Sequence, residues 1–107
     1  MNGIKILFGR RVKELRLKRN MTQAYLAELI NVDDKHISCI ENGKKFPSPS
    51  VMEKIAQAFN IETKDLFEYY HLQDESDLKI GIMNMLENLT QDELSLTHSY
   101  IRNFIIK

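Results

Sequence analysis

The side chains best able to do chemistry in this chain of 107 residues are few and scattered. His36, His71 and His98 lie in separate segments, and Cys39 is the single cysteine. They show no metal-ligand spacing, and no nucleophile elbow or phosphate-binding loop accompanies them. Metal, cofactor and catalytic roles therefore have no support. One stretch does concentrate hydrogen-bonding groups: DDKHISCIENGKK, residues 33–45. Residues advance about 100° each along an α-helix, so with Ile37 at 0° the residues Ile40 and Glu41 complete an inner face centred near 340°. Lys35, Ser38, Cys39 and Asn42 then point the other way, with Asp34 and His36 on the flanks. Such an outward face of donors and acceptors suits recognition rather than catalysis.

That face needs elements to present it, and the chain reads as helices joined by short turns. Leu7, Phe8, Val12 and Leu15 predict a first helix over 4–19, ended by Asn20, which tolerates the left-handed conformation. Thr22 caps a second helix over 23–30, with Leu26, Ala27, Leu29 and Ile30 inward. Asn31 makes a sharp turn. Asp33, most simply a cap, opens the third helix at 34–42, which Asn42-Gly43 stops. Ser48 and Pro49 open a fourth helix running to about Asn60, with Val51, Ile55, Ala56 and Phe59 inward. Thr63 caps a short fifth helix carrying Leu66 and Phe67. The polar run HLQDESD, residues 71–77, is the candidate linker. Beyond it, Leu78, Ile82, Met85, Leu86 and Leu89 stripe one helix. TQDE at 90–93 is a capping box that opens another helix, striped by Leu94, Thr97, Ile101 and Phe104 with Ile105 beside them. Residues 78–106 thus read as a helical hairpin.

Two short helices joined tightly need a small residue at their crossing, a residue tolerant of left-handed geometry at the turn, and apolar residues packing back. Ala27, Asn31 and the pair Ile37/Ile40 meet these needs. With these residues in place, MTQAYLAELINVDDKHISCIENGKKFPSP, residues 21–49, resembles the helix-turn-helix of the phage-repressor (Xre-like) transcription regulators. The landmarks are Thr22-Gln23, Leu26-Ala27, Val32, Ile37-Ser38, Ile40-Glu41-Asn42-Gly43-Lys44 and the Pro-Ser that follows. FGRRVKELRLKRN and VMEKIAQAFNIETKDLF extend the match over residues 8–67. The resemblance implies a five-helix repressor-type DNA-binding domain over 1–70; with the linker and the helical segment 78–107 read from the pattern, the expected fold is all-α. It also implies DNA binding as a dimer, with the third helix in the major groove. Gln23 matches the family's phosphate-contacting position. Arg16 and Glu41 match a pair that ties the first helix to the third. Asn31, where glycine is usual, and Cys39 depart from the pattern.

In a major groove, Lys35 at the centre of the outward face can donate to guanine O6 or N7, and Ser38 can donate or accept. Asn42 shares that face. Cys39 offers an apolar contact to a thymine methyl, or is an inert thiol. Asp34 can accept from a cytosine N4, or is a solvated first-turn acid. His36 is placed for the backbone, and Lys44 and Lys45 for phosphates or simply for water.

Composition sets the outer bounds. Lys+Arg and Asp+Glu balance at 15 each, but residues 1–70 carry 12 basic and 9 acidic residues and residues 71–107 carry 3 and 6. The asymmetry suggests a mildly basic reading half and an acidic second segment. No apolar run approaches the roughly 18 residues of a membrane span. The basic residues of MNGIKILFGRR follow the apolar ones, the wrong order for a secretory signal. A cytoplasmic location and a double-stranded DNA operator as partner are expected. Leu78, Ile82, Leu86, Leu89, Leu94, Ile101, Phe104 and Ile105 would either dimerise or fold back on the same chain; the family also uses such tails to bind a small regulatory protein. The leading expectation is a sequence-specific regulator, a repressor, on a palindromic operator as a homodimer. The alternatives are an antitoxin or anti-regulator, and the controller of a restriction–modification system.

Overall fold

The computed structural model describes residues 3–105, and among these the regular structure is entirely helical. The chain divides into two compact units, Met1–Asp74 and Glu75–Lys107.

The first unit opens with α1 (Ile4–Lys18), α2 (Gln23–Ile30), α3 (Asp34–Glu41) and α4 (Pro49–Phe59). Each sharp stop has a local cause. Asn20, Asn31 and Asn60 take the left-handed conformation with φ of 56°, 59° and 56°, and Gly43 takes φ 75°. An asparagine accepts this geometry because its short polar side chain bonds locally. At the helix starts, Thr22 accepts from the Tyr25 N–H and Ser48 from the Val51 N–H. These bonds satisfy donors that a helix end leaves free, and each contributes about 1 kcal/mol.

The core joins Phe8, Val12 and Leu15 of α1 to Leu26, Ala27 and Ile30 of α2, to Ile37 and Ile40 of α3, and to Met52, Ile55, Ala56 and Phe59 of α4. Leu66 closes it from below. Helices α1 and α2 both pack on α3, so the inner face of α3 is fixed from two sides.

Several sequence expectations need correction. Leu29 does not face inward; it is 48 % exposed, because Leu26, Ala27 and Ile30 already span the face turned to α3 and α4. Val51 does pack against the core, half-buried, and Met52, not read as inward, is buried in it. Asp33 occupies the N-cap position of α3, but its side chain makes no capping bond. It lines a shallow depression together with Lys35 and Lys45. The fifth helix is a 3-10 turn, Thr63–Phe67, and Thr63 lies inside it. Glu62 holds the cap position, with its N–H donating to Asp65 Oδ2 at 3.0 Å. α3 also ends one residue earlier than expected, leaving Asn42 as its C-cap.

The boundary between the two units falls inside the run 71–77, between Asp74 and Glu75. Tyr70–Leu72 forms another 3-10 turn, and helix α5 begins at Glu75. Arg10 Nη1 donates to the Leu72 carbonyl at 2.9 Å and reaches Asp74 at 3.4 Å. Arg11 Nε donates to the Asp65 carbonyl at 3.0 Å, and its Nη1 meets Glu14 at 2.6 Å. His71 Nε2 lies 2.9 Å from both Glu14 oxygens. Partial burial pushes the Glu14 carboxyl up, but the hydrogen bonds of His71 and Arg11 and the nearby positive charges bring it below its ordinary value. α1 thus fastens the end of the first unit.

The second unit contains α5 (Glu75–Leu86) and α6 (Gln91–Ile105). Thr90 and Glu93 form the expected reciprocal box: the Thr90 N–H donates to Glu93 at 2.9 Å, and the Glu93 N–H donates to Thr90 Oγ1 at 3.2 Å. No described residue of either helix is buried. The expected helix end at 106 and segment end at 107 lie outside the described residues.

Candidate nucleic-acid interface

The wheel of α3 is reproduced by burial. Ile37 and Ile40 are fully buried and Glu41 nearly so, whereas Asp34, Lys35 and Asn42 are exposed and His36, Ser38 and Cys39 half-buried. The helix therefore presents one polar ridge to solvent.

A buried charge network fixes the angle of that ridge. Arg16 Nε donates to Glu41 Oε2 at 2.7 Å, and Nη2 donates to Oε1 at 3.0 Å. The third guanidinium nitrogen, Nη1, donates to the Met21 carbonyl at 2.6 Å. Gln23 Nε2 also donates to Glu41 Oε1, at 3.1 Å. The structure thus brings Arg16 and Glu41 together, and joins to them the residue expected at a phosphate. Planar guanidinium suits this work because its donors lie in a fixed fork that matches a carboxylate. The Gln23 bond is not legible in sequence, because nothing local says that α2 starts beside the end of α3.

Gly9 is a second residue that sequence reading passed over. A Cβ there would sit 2.2 Å from the Ile40 carbonyl oxygen, so only glycine lets α1 approach the end of α3 this closely. Phe46 is a third: its ring lies 5.1 Å from that of buried Phe8. Together with the Lys44 and Lys45 N–H groups, both donating to the Cys39 carbonyl at 2.9 and 3.2 Å, it anchors the loop after α3. The two lysines therefore leave a fixed backbone.

On the ridge, Asn42 Nδ2 donates to Ser38 Oγ at 3.3 Å. Asp33, Lys35, His36, Cys39 and Lys45 line a depression of about 130 Å³. His36 Nε2 is buried and makes no hydrogen bond, so a contact through that nitrogen requires the ring to turn. Among the described residues no group of three or more His, Cys, Asp or Glu side chains could hold a metal ion, and no helix is long and apolar enough to cross a membrane.

A family model described as "Helix-turn-helix domain" matches residues 9–72. This chain belongs to the Xre-like helix-turn-helix family. Its function is that of the family, DNA-binding regulation of transcription. Among Xre-like relatives, control protein C.BamHI of Bacillus amyloliquefaciens is 39 % identical over 69 residues, covering 64 % of this chain and 85 % of that protein. The crystal structure of the restriction-modification controller protein C.AhdI from Aeromonas hydrophila is matched at 33 % identity with a TM-score of 0.56, over 57 % of this chain and 92 % of that one. A chain of the SinR protein/SinI protein complex shares the fold at 20 % identity and a TM-score of 0.56, over 94 % of this chain and 99 % of that one. The match to C.AhdI thus takes in nearly all of that protein while leaving over a third of this Xre-like chain unmatched.

Proposed function

We propose that the protein is a sequence-specific repressor that binds a palindromic operator as a homodimer, with α3 in the major groove of each half-site. The observation that carries this is the ridge itself: Lys35 stands exposed on a helix whose opposite face is fully buried and whose end is locked by Arg16 and Glu41. Lys35 reads guanine, Ser38 and Asn42 act as one hydrogen-bonded pair on a neighbouring base, and Cys39 meets an apolar group. Asp34 either accepts from cytosine or stays in water. His36, Lys44, Lys45 and Gln23 hold phosphates, and the amide proton of Gln23 not taken by Glu41 is the one available. The protein works in the cytoplasm, where its DNA target lies.

Division of labour along the chain supports the dimer. Residues 1–70 read DNA, and the segment from 78 onward associates. Leu78, Leu86 and Leu89 are half-buried, whereas Ile82, Leu94, Ile101, Phe104 and Ile105 are exposed. Leu86, Leu94 and Ile101 line an apolar groove of about 290 Å³ between α5 and α6. Apolar surface of this kind marks an association site, taken by a second copy or by a small regulatory protein. A monomeric mass at micromolar concentration would count against the dimer.

Control of a restriction–modification system is the second reading, favoured by the likeness to C.BamHI and C.AhdI. A methyltransferase and endonuclease encoded beside this protein would favour it, and a neighbouring toxin-like gene would favour the antitoxin reading. The decisive experiment for DNA reading is selection of bound sequences from random duplexes at two salt concentrations. An enriched palindrome is the expected result, and no enrichment refutes the proposal.

A further inference from the structure

We propose that Lys5, on the first turn of α1, is a further phosphate-contacting residue, acting with Lys44 and Lys45 as one cationic edge against the DNA backbone. The inference rests on the reading of α3 as the helix in the groove, and adds to it a contact from an element outside the helix-turn-helix.

The argument starts from a close approach. A Cβ built on Gly43 would lie 3.0 Å from Ile6 Cα and 2.8 Å from Ile6 Cγ1. The first turn of α1 therefore abuts the turn that ends α3. Lys5 precedes Ile6 and Lys44 follows Gly43, so with about 3.8 Å between consecutive Cα atoms their Cα atoms lie within about 12 Å of each other. Direction agrees with distance. Lys5 stands one helical turn before Phe8 and Gly9, on the same face of α1. Phe8 packs on Phe46, and Gly9 meets the carbonyls of Ile40 and Glu41. The Lys5 side chain consequently leaves α1 toward the loop 43–46, beyond the reach of the core.

Charge supplies the second part. Lys5, Lys44 and Lys45 are all exposed, and among the described residues none of them forms an ion pair. The neighbouring acid, Glu41, is buried and already held by Arg16. Asp33 lines one depression with Lys45, but no ion pair joins them among the described residues; the three lysines keep a net positive charge, and a polyanion relieves their mutual repulsion. One strand of duplex DNA offers a phosphate every ~3.4 Å of axis. That spacing lets Lys5 and Lys44 meet neighbouring phosphates while Lys35 enters the groove.

The test is the salt dependence of binding for wild-type protein and Lys5→Ala, on the selected operator and on a random duplex. Each lost phosphate contact lowers the slope of log K against log salt by about 0.9. Lys5→Ala should therefore lower it by about one unit per protomer on both duplexes. The affinity lost between about 50 and about 200 mM salt should shrink roughly fourfold per protomer. Lys5→Arg should restore the wild-type slope. Lys64→Ala removes one charge from an exposed lysine already paired with Glu62, and should leave the slope unchanged. A Lys5→Ala slope equal to that of Lys64→Ala overturns the proposal. If Lys44→Ala and Lys35→Ala are silent as well, the reading of α3 has failed and the Lys5 contact falls with it. If they respond and Lys5→Ala does not, only the Lys5 assignment is wrong. The melting temperature should not move, since Lys5 makes no contact that folding requires.

Discussion

Removing the Arg16 side chain tests how α3 is held. Arg16→Ala leaves the Glu41 carboxylate in place with its side chain only 1 % exposed, and with the Gln23 amide as its remaining donor at 3.1 Å. Two charge-assisted bonds and the bond to the Met21 carbonyl disappear together. Breaking one partner of a buried pair costs about 3–5 kcal/mol, since the other charge stays desolvated. A small domain has roughly 5–15 kcal/mol in all, so the variant should be marginal. Urea unfolding is the assay. With a slope near 1 kcal/mol/M, the midpoint should fall by about 3 M or more. Arg16→Lys should not rescue it, because a single ammonium cannot serve Oε1, Oε2 and the Met21 carbonyl in the planar arrangement recorded here. A loss of less than about 1 kcal/mol, the value of a surface bridge, would refute the claim that this pair fixes α3.

Other perturbations separate reading from holding. Lys35→Ala should lose about 1–3 kcal/mol on the operator with little change on random DNA, by titration on both duplexes; equal losses would defeat the base-reading role. Lys44→Ala should weaken both and lower the salt slope by about one unit per half-site. Gly9→Ala drives a methyl into the Ile40 carbonyl at 2.2 Å and should cost at least about 1–3 kcal/mol, seen as a lower urea midpoint; an unchanged midpoint would mean that α1 can shift freely. Glu14 titrates below its ordinary value of 4.5 in the fold, so its contribution is present above that value and is lost as pH falls through the folded pKa. The stability difference between wild type and Glu14→Gln should therefore shrink in acid, and a difference equal at neutral and acidic pH would contradict the His71–Glu14–Arg11 cluster.

How much of this was legible in the sequence depends on how local its cause is. The turns at Asn20, Asn31 and Gly43 and the caps at Thr22, Ser48 and Thr90 follow from one residue and its immediate neighbours, and all are legible in the sequence. The inner face of α3 also follows from periodicity, because Ile37 and Ile40 are flanked by polar residues. Leu29 misled because an apolar residue satisfies a pattern whether or not anything lies opposite. Asp33 takes the cap position that its type suggests, but residue type does not say whether the side chain closes the capping bond. Gly9, Phe46, the Gln23–Glu41 bond and the fastening of residues 70–74 to α1 all depend on distant segments meeting. No spacing rule encodes them.

The division between arginine and lysine in the first unit carries the interface argument further. All four arginines there are committed to holding the fold. Arg10 and Arg11 reach the carbonyls of Leu72 and Asp65, and Arg16 holds Glu41. Arg19 donates to the carbonyls of Phe59 and Leu15, with its guanidinium 5.1 Å from the Phe59 ring centroid. The weak net positive charge of residues 1–70 is therefore a poor measure of what DNA would meet, since these charges are already engaged. What remains beside α3 is lysine: Lys35 on the ridge, with Lys44 and Lys45 at its end. Lysine is a mobile point charge suited to phosphates, whereas the guanidinium fork suits fixed carbonyls and carboxylates. Asp33 lines a depression with Lys35 and Lys45, so an acid lies beside two of these few lysines. Binding to arbitrary DNA should accordingly be weak, with a salt slope set by these few cations, and under the proposed reading discrimination is left to Lys35, Ser38 and Asn42.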